Sequence, residues 1–156
     1  MPVNNAPLLA GKPINGRAVW LPGTTANTKS DGTGTIGTDM LLLYTADSTY
    51  GGFVQKIRLN PQASAAATAT TATVVRIYIS TKTSGSTTNA DTTLFDEITL
   101  PAQTADQATS ATNKIEIPIG IAMKAGETIL VSMHHAAAAN TSWGIFAIAG
   151  DYLNVA

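Results

Sequence analysis

From Asp39 onward, apolar and polar side chains alternate with a period of two, the spacing that sends successive side chains to opposite faces of an extended chain. Met40 to Thr45 is a short apolar run. In Phe53 to Asn60 the alternation predicts Phe53, Gln55, Ile57 and Leu59 on one face and Val54, Lys56 and Arg58 on the other. Val75, Ile77 and Ile79 alternate with Arg76, Tyr78 and Ser80, and Leu94 to Leu100 forms a further strand closed by Pro101. Ile115, Ile117, Ile119 and Ile121 make an apolar stripe opposite Lys114, Glu116, Pro118 and Gly120. Pro118 has no N–H to give to a ladder, so its strand belongs at a sheet edge or a bulge. After the turn Ala125-Gly126-Glu127, Thr128 to Met133 directs Ile129, Val131 and Met133 inward. The last strand runs from Ser142 to Ala149, with Trp143 packed across a sheet and Phe53 and Phe146 as core candidates.

No stretch has convincing helical periodicity, since threonine interrupts alanine in Gln62 to Thr73 and leaves no apolar face. Strands separated by Gly, Pro, Asn and Asp therefore predict an all-β fold: a jelly-roll-like antiparallel β-sandwich of about eight strands in two four-stranded sheets. Three long, nearly uncharged connections, Gln62 to Thr73, Thr81 to Thr93 and Ala102 to Asn113, exceed what strand linkage requires.

Residues 1–38 differ from the rest and are expected to form an extended N-terminal arm or linker ahead of a β-sandwich domain at 39–156. Pro2, Pro7, Pro13 and Pro22, with six glycines between Gly11 and Gly37, are too dense for a helix or a central strand. Apolar side chains nevertheless recur there, and a purely disordered tail rarely carries them. Leu8, Leu9, Ile14 and Trp20 are accordingly the candidate partner-binding anchors. Two readings of the arm stand together: it folds back along its own domain, with Ala18 to Leu21 as an ordinary first strand, or it reaches a neighbouring subunit.

Composition narrows the function classes. Charged residues are 12% of the 156 positions and the net charge is −1, with nine scattered Lys and Arg. That field is too weak to hold nucleic acid by neutralising phosphates. No apolar run approaches the ~20 residues a membrane-spanning helix needs, and the start Met1-Pro2-Val3-Asn4-Asn5 lacks the basic and apolar regions of a secretory signal. With no cysteine, disulfides and zinc–thiolate sites are unavailable, so stability rests on packing and assembly. Alanine and threonine fill 49 positions, which gives much of the surface an uncharged character suited to permanent neighbours, although a Thr-rich β-surface alone would also account for it.

The inventory for catalysis is thin, so no enzyme activity, cofactor or metal is expected. His134 and His135 are adjacent at a strand end and point apart if the strand continues through them, and Asp96 and Glu97 suffer the same geometry. A cryptic hydrolase site would require His134, Asp96 and Glu97 to converge. Gly32-Thr33-Gly34 with Gly37 has neither the strand before it nor the helix after it that a phosphate-binding loop needs, and Asn140-Thr141-Ser142 matches a glycosylation acceptor only in letters. Carbohydrate binding depends on exposed rings, and Trp20, Tyr50 and Tyr152 are the candidates for display.

Three segments carry a resemblance: Gly51 to Leu59 (GGFVQKIRL), Thr93 to Ala102 (TLFDEITLPA) and Lys124 to Ser132 (KAGETILVS), followed by Trp143 to Tyr152. Together they resemble jelly-roll decoration (cement) proteins of tailed bacteriophage capsids, over roughly residues 50 to 152. The resemblance implies a structural virion protein, a homotrimer that binds the major capsid protein on the outer capsid surface and bridges neighbouring subunits, made in the host cytoplasm. It implies no nucleic-acid or membrane partner. The alternative is a receptor- or glycan-binding β-sandwich module of a phage tail or head fibre.

Overall fold

A computed structural model describes residues 12–65, 68–108 and 115–152. Every regular element among them is a strand: β1 (Lys12–Pro13), β2 (Gly16–Trp20), β3 (Gly34–Ile36), β4 (Leu41–Thr45), β5 (Gly52–Ala63), β6 (Thr68–Ala69), β7 (Thr73–Ser80), β8 (Gly85–Thr87), β9 (Thr92–Leu100), β10 (Thr104–Ala105), β11 (Ile115–Met123), β12 (Thr128–Met133) and β13 (Thr141–Asp151). The first sheet has the order β2-β13-β5-β11, with β1 beside β2 on the same edge of β13, and the second has the order β4-β12-β7-β9. Numbering only the eight long strands in chain order, these sheets read 1-8-3-6 and 2-7-4-5, and all their pairings are antiparallel. That interleaving is a jelly roll, the expected fold class.

Between the sheets lies one apolar core. Val54, Ile57, Leu59, Trp143, Ile145 and Ala147 from the first sheet meet Leu43, Val75, Ile77, Ile129, Val131 and Met133 from the second. Pro118 sits on β11, an edge strand, beside a bulge that Gly120 accommodates with φ 62°, so both expectations for that proline hold.

The alternation expected in β5 fails at one point. Lys56 pairs with Ile148 and Val54 with Ala149, leaving Gln55 as an extra residue in β5. This bulge flips the parity, so Val54 is buried with Ile57 and Leu59 while Phe53 and Gln55 leave the core face. Phe146 is a second correction: with Trp143, Ile145 and Ala147 inward, it points to solvent and is 37% exposed. Both parities of β13 carry apolar residues, and only the partner sheet selects between them.

Over its described part the N-terminal segment follows the first of its two readings and folds back along its own domain. β1 and β2 line the edge of β13 with Lys12 opposite Asp151 and Trp20 opposite Trp143, and the Ile14 N–H bridges them to the Ala149 carbonyl at 3.1 Å. An edge position tolerates Pro13, which is how a proline-bearing segment joins a sheet. Residues 21–40 then cross the outer face of the second sheet. The Asn27 N–H donates to the Met133 carbonyl, Arg76 donates through Nη1 to the carbonyls of Asn27 and Lys29, and the Tyr78 hydroxyl donates to Lys29 as well. Beneath the crossover, Met40, Tyr78 and Leu130 form a second buried cluster flanked by Ile36 and Leu94. β7 is therefore buried on both faces, and its outward set, Arg76, Tyr78 and Ser80, is polar where it meets the crossover.

The long connections also find partners in one another. β6 pairs with β10, joining the Gln62–Thr73 and Ala102–Asn113 connections, and β3 in the crossover pairs with β8 in the Thr81–Thr93 connection.

Candidate functional site

The jelly-roll connections gather at two ends. At one end, Asp47 organises the turn into β5: its carboxylate accepts the N–H groups of Thr49 and Tyr50, which hold it below the ordinary carboxylate range. Nearby, the buried Asp151 accepts the Tyr44 hydroxyl at 2.8 Å and the Asp47 N–H at 3.2 Å. Burial first, and the Asp151 carboxylate second, push the Tyr44 phenol well above its usual pKa. In the unfolded chain that phenol ionises near pH ~10, whereas the folded state keeps its proton. Stability should therefore fall as pH rises beyond ~10, because the unfolded chain sheds the proton first. Urea midpoints of Tyr44→Phe should decline less steeply over this alkaline range than those of the wild type, with Tyr78, also raised by burial, accounting for part of the slope that remains. Equal slopes would remove Tyr44 from the account.

At the other end, two shallow depressions share Leu21. One, of about 430 Å³, is lined by Gly23, Thr24, Thr25, Gly37 and Thr38, and the other, of about 300 Å³, by Pro22, Ser64, Asn140, Thr141 and Ser142. Among the described residues neither lining contains an ionisable side chain, and what they offer is apolar, hydroxyl and amide contacts.

Leu8 and Leu9 lie outside the described residues. Ile14 is half-buried and packs against the subunit's own core. Trp20 is fully buried, faces Trp143 and donates its indole N–H to the His135 carbonyl at 3.1 Å. The expectation that Trp20 anchors a partner or displays a ring is therefore corrected: its side chain is spent on closing the sandwich at the edge strand. Among the other rings proposed for display, Tyr50 is 48% exposed and Tyr152 is half-buried.

His134 and His135 follow the end of β12 and meet edge to face, with centroids 4.7 Å apart. Glu97 is bound by the Arg76 Nε at 3.1 Å, and Asp96 accepts the N–H of Glu97. No cluster of three His, Asp or Glu able to hold a metal occurs among the described residues. No helix among them is long and apolar enough to cross a membrane.

What the sequence reading missed is an uncovered sheet face. The crossover shields the outside of the second sheet, but no described segment shields the outside of the first. One row across that face runs Arg17, Phe146, Arg58, Glu116, and a neighbouring row holds Val19, Gly144 and Asn60. Val19 is 44% exposed. Glu116 bridges Lys56 and Arg58, with contacts of 2.9 Å to the Lys56 Nζ and the Arg58 Nε, and these cations depress its pKa. Alternation between hydrophobic and polar residues in β2 and β13 contained this signal. It stayed hidden because the outward set includes apolar residues that resemble core.

The fold and this face define an all-β sandwich in which residues 21–40 cover one sheet and no described segment covers the other. No protein-family model matches the chain, and no curated protein matches it.

Proposed function

We propose that this chain is a structural virion protein of a tailed bacteriophage, a decoration (cement) protein that binds the outer capsid surface and stabilises it by bridging neighbouring capsid subunits. The observation that carries the reading is the one-sided covering of the sandwich: no described segment covers the outside of the first sheet, and Val19 and Phe146 stand exposed on it beside Arg17, which leaves that face for contact with a neighbour. The resemblance in Gly51 to Leu59, Thr93 to Ala102 and Lys124 to Ser132 supports the same reading. The partners are the major capsid protein and further copies of the chain in a homotrimer. The site of action is the capsid surface of the virion, after synthesis in the host cytoplasm.

Cryo-electron microscopy of virions carrying the protein should place its density on the outer shell, and density confined to the tail or fibres would overturn the reading. A truncation test of the N-terminal segment must stop at residue 11, because residues 12–20 complete the first sheet. Deleting residues 1–11 should lower capsid occupancy if Leu8 and Leu9 are anchors, and full occupancy would assign anchoring to the sandwich.

A further inference from the structure

We propose that copies of this chain associate head to tail, the open face around Arg17 and Phe146 of one copy seating on the Phe95-Asp96-Glu97 bulge of β9 in the next. The proposal rests on the self-association within the reading above, not on the capsid.

The first half of the contact is the open face. Three cations, Arg17, Lys56 and Arg58, share its two central rows and their neighbours with one carboxylate, Glu116, which already pairs with Lys56 and Arg58. Arg17 has no ion pair among the described residues, and it stands beside the exposed ring of Phe146.

The second half lies on the opposite sheet. β9 is an edge strand, and its pairing with β7 steps from Tyr78 opposite Leu94 to Ile77 opposite Asp96, which leaves Phe95 as an extra residue. The bulge puts three successive residues in solvent: Phe95, Asp96 and Glu97 are all exposed. Glu97 is engaged by Arg76, whereas the Asp96 side chain accepts only the adjacent N–H of Glu97 among the described residues. Each half thus offers one exposed ring beside one charge without an ion-pair partner, and the two charges are opposite.

Symmetric alternatives are unfavourable for the same reason. Two open faces placed together would oppose cations to cations, and two β9 edges would oppose Asp96 and Glu97 to their copies, while the bulge interrupts strand-to-strand pairing at that edge. A heterologous contact avoids both repulsions, and such a contact either closes into a ring or continues as a filament. A ring of three is the closed form that fits a trimer.

Sedimentation velocity of the full chain, at low and at high salt, tests this. The wild type should associate at micromolar concentrations into multiples of 16.1 kDa, less so at high salt. Arg17→Glu and Asp96→Lys should each weaken association by roughly tenfold to a hundredfold, with thermal midpoints unchanged because both side chains are exposed. The double variant R17E/D96K should recover most of the lost affinity. A wild type that stays monomeric at hundreds of micromolar, single reversals without effect, or a double variant no better than the singles would each overturn the contact. Virion imaging reads the capsid role separately. Coupled reversals with no density on the shell would end the capsid reading and keep the contact, and shell density without coupling would do the opposite.

Discussion

Trp20→Ala should lower the unfolding free energy by about 3–5 kcal/mol, read from urea denaturation of the otherwise intact chain. The ring is fully buried and faces Trp143 across the β2–β13 pairing, so truncation opens a cavity in the core rather than trimming a surface. It also removes the donor to the His135 carbonyl. Because a domain of this size is stable by only ~5–15 kcal/mol, the loss is a large share of the total. Trp20→Phe should cost less, since most of the volume stays while the indole N–H is lost. A change below ~1 kcal/mol for Trp20→Ala would mean that the ring is not core, and would return it to the list of candidate anchors.

Arg76→Ala should release the crossover of residues 21–40. The guanidinium joins three groups: Nη1 donates to the carbonyls of Asn27 and Lys29 at 3.1 and 3.2 Å, and Nε contacts Glu97 at 3.1 Å. Truncation leaves those carbonyls without their charged donor beneath a segment whose remaining hold is mainly β3–β8, the Asn27 N–H and the Tyr78 hydroxyl. Together these losses should amount to roughly 3 kcal/mol. Limited proteolysis should then cut between residues 21 and 40 faster than in the wild type, and dye binding should report exposure of Met40, Tyr78 and Leu130. Arg76→Lys should fall between, because a single ammonium lacks the planar fork that reaches both carbonyls and the carboxylate. Unchanged cleavage in Arg76→Ala would show that the β3–β8 pairing, the Asn27 N–H and the Tyr78 hydroxyl hold the crossover without the guanidinium.

Much of this architecture is legible in the sequence alone. The isoleucine stripe of β11, the inward set of β12 and the edge position of Pro118 follow from period-two alternation and from a missing N–H. The eight-strand count followed from the turn residues between such runs. Failures came where one local pattern allows two tertiary outcomes. Phe53 changes face because Gln55 is inserted relative to β13, and no residue type announces a bulge in one strand without its partner. Trp20 has the same local sequence whether β2 pairs with β13 or extends to a neighbour, and the burial of its ring belongs to the pairing.

The candidate surface divides in the same way. By itself the sequence determined an all-β chain with low charge, no cysteine and little catalytic inventory, because composition and alternation are local properties that survive any arrangement of strands. Only the tertiary structure decided that residues 12–20 complete one sheet, that residues 21–40 cover the other, and that Arg17, Phe146, Arg58 and Glu116 share one open row. Those four residues come from β2, β13, β5 and β11, widely separated in sequence, and strand register across a sheet is set by contacts between segments rather than within them.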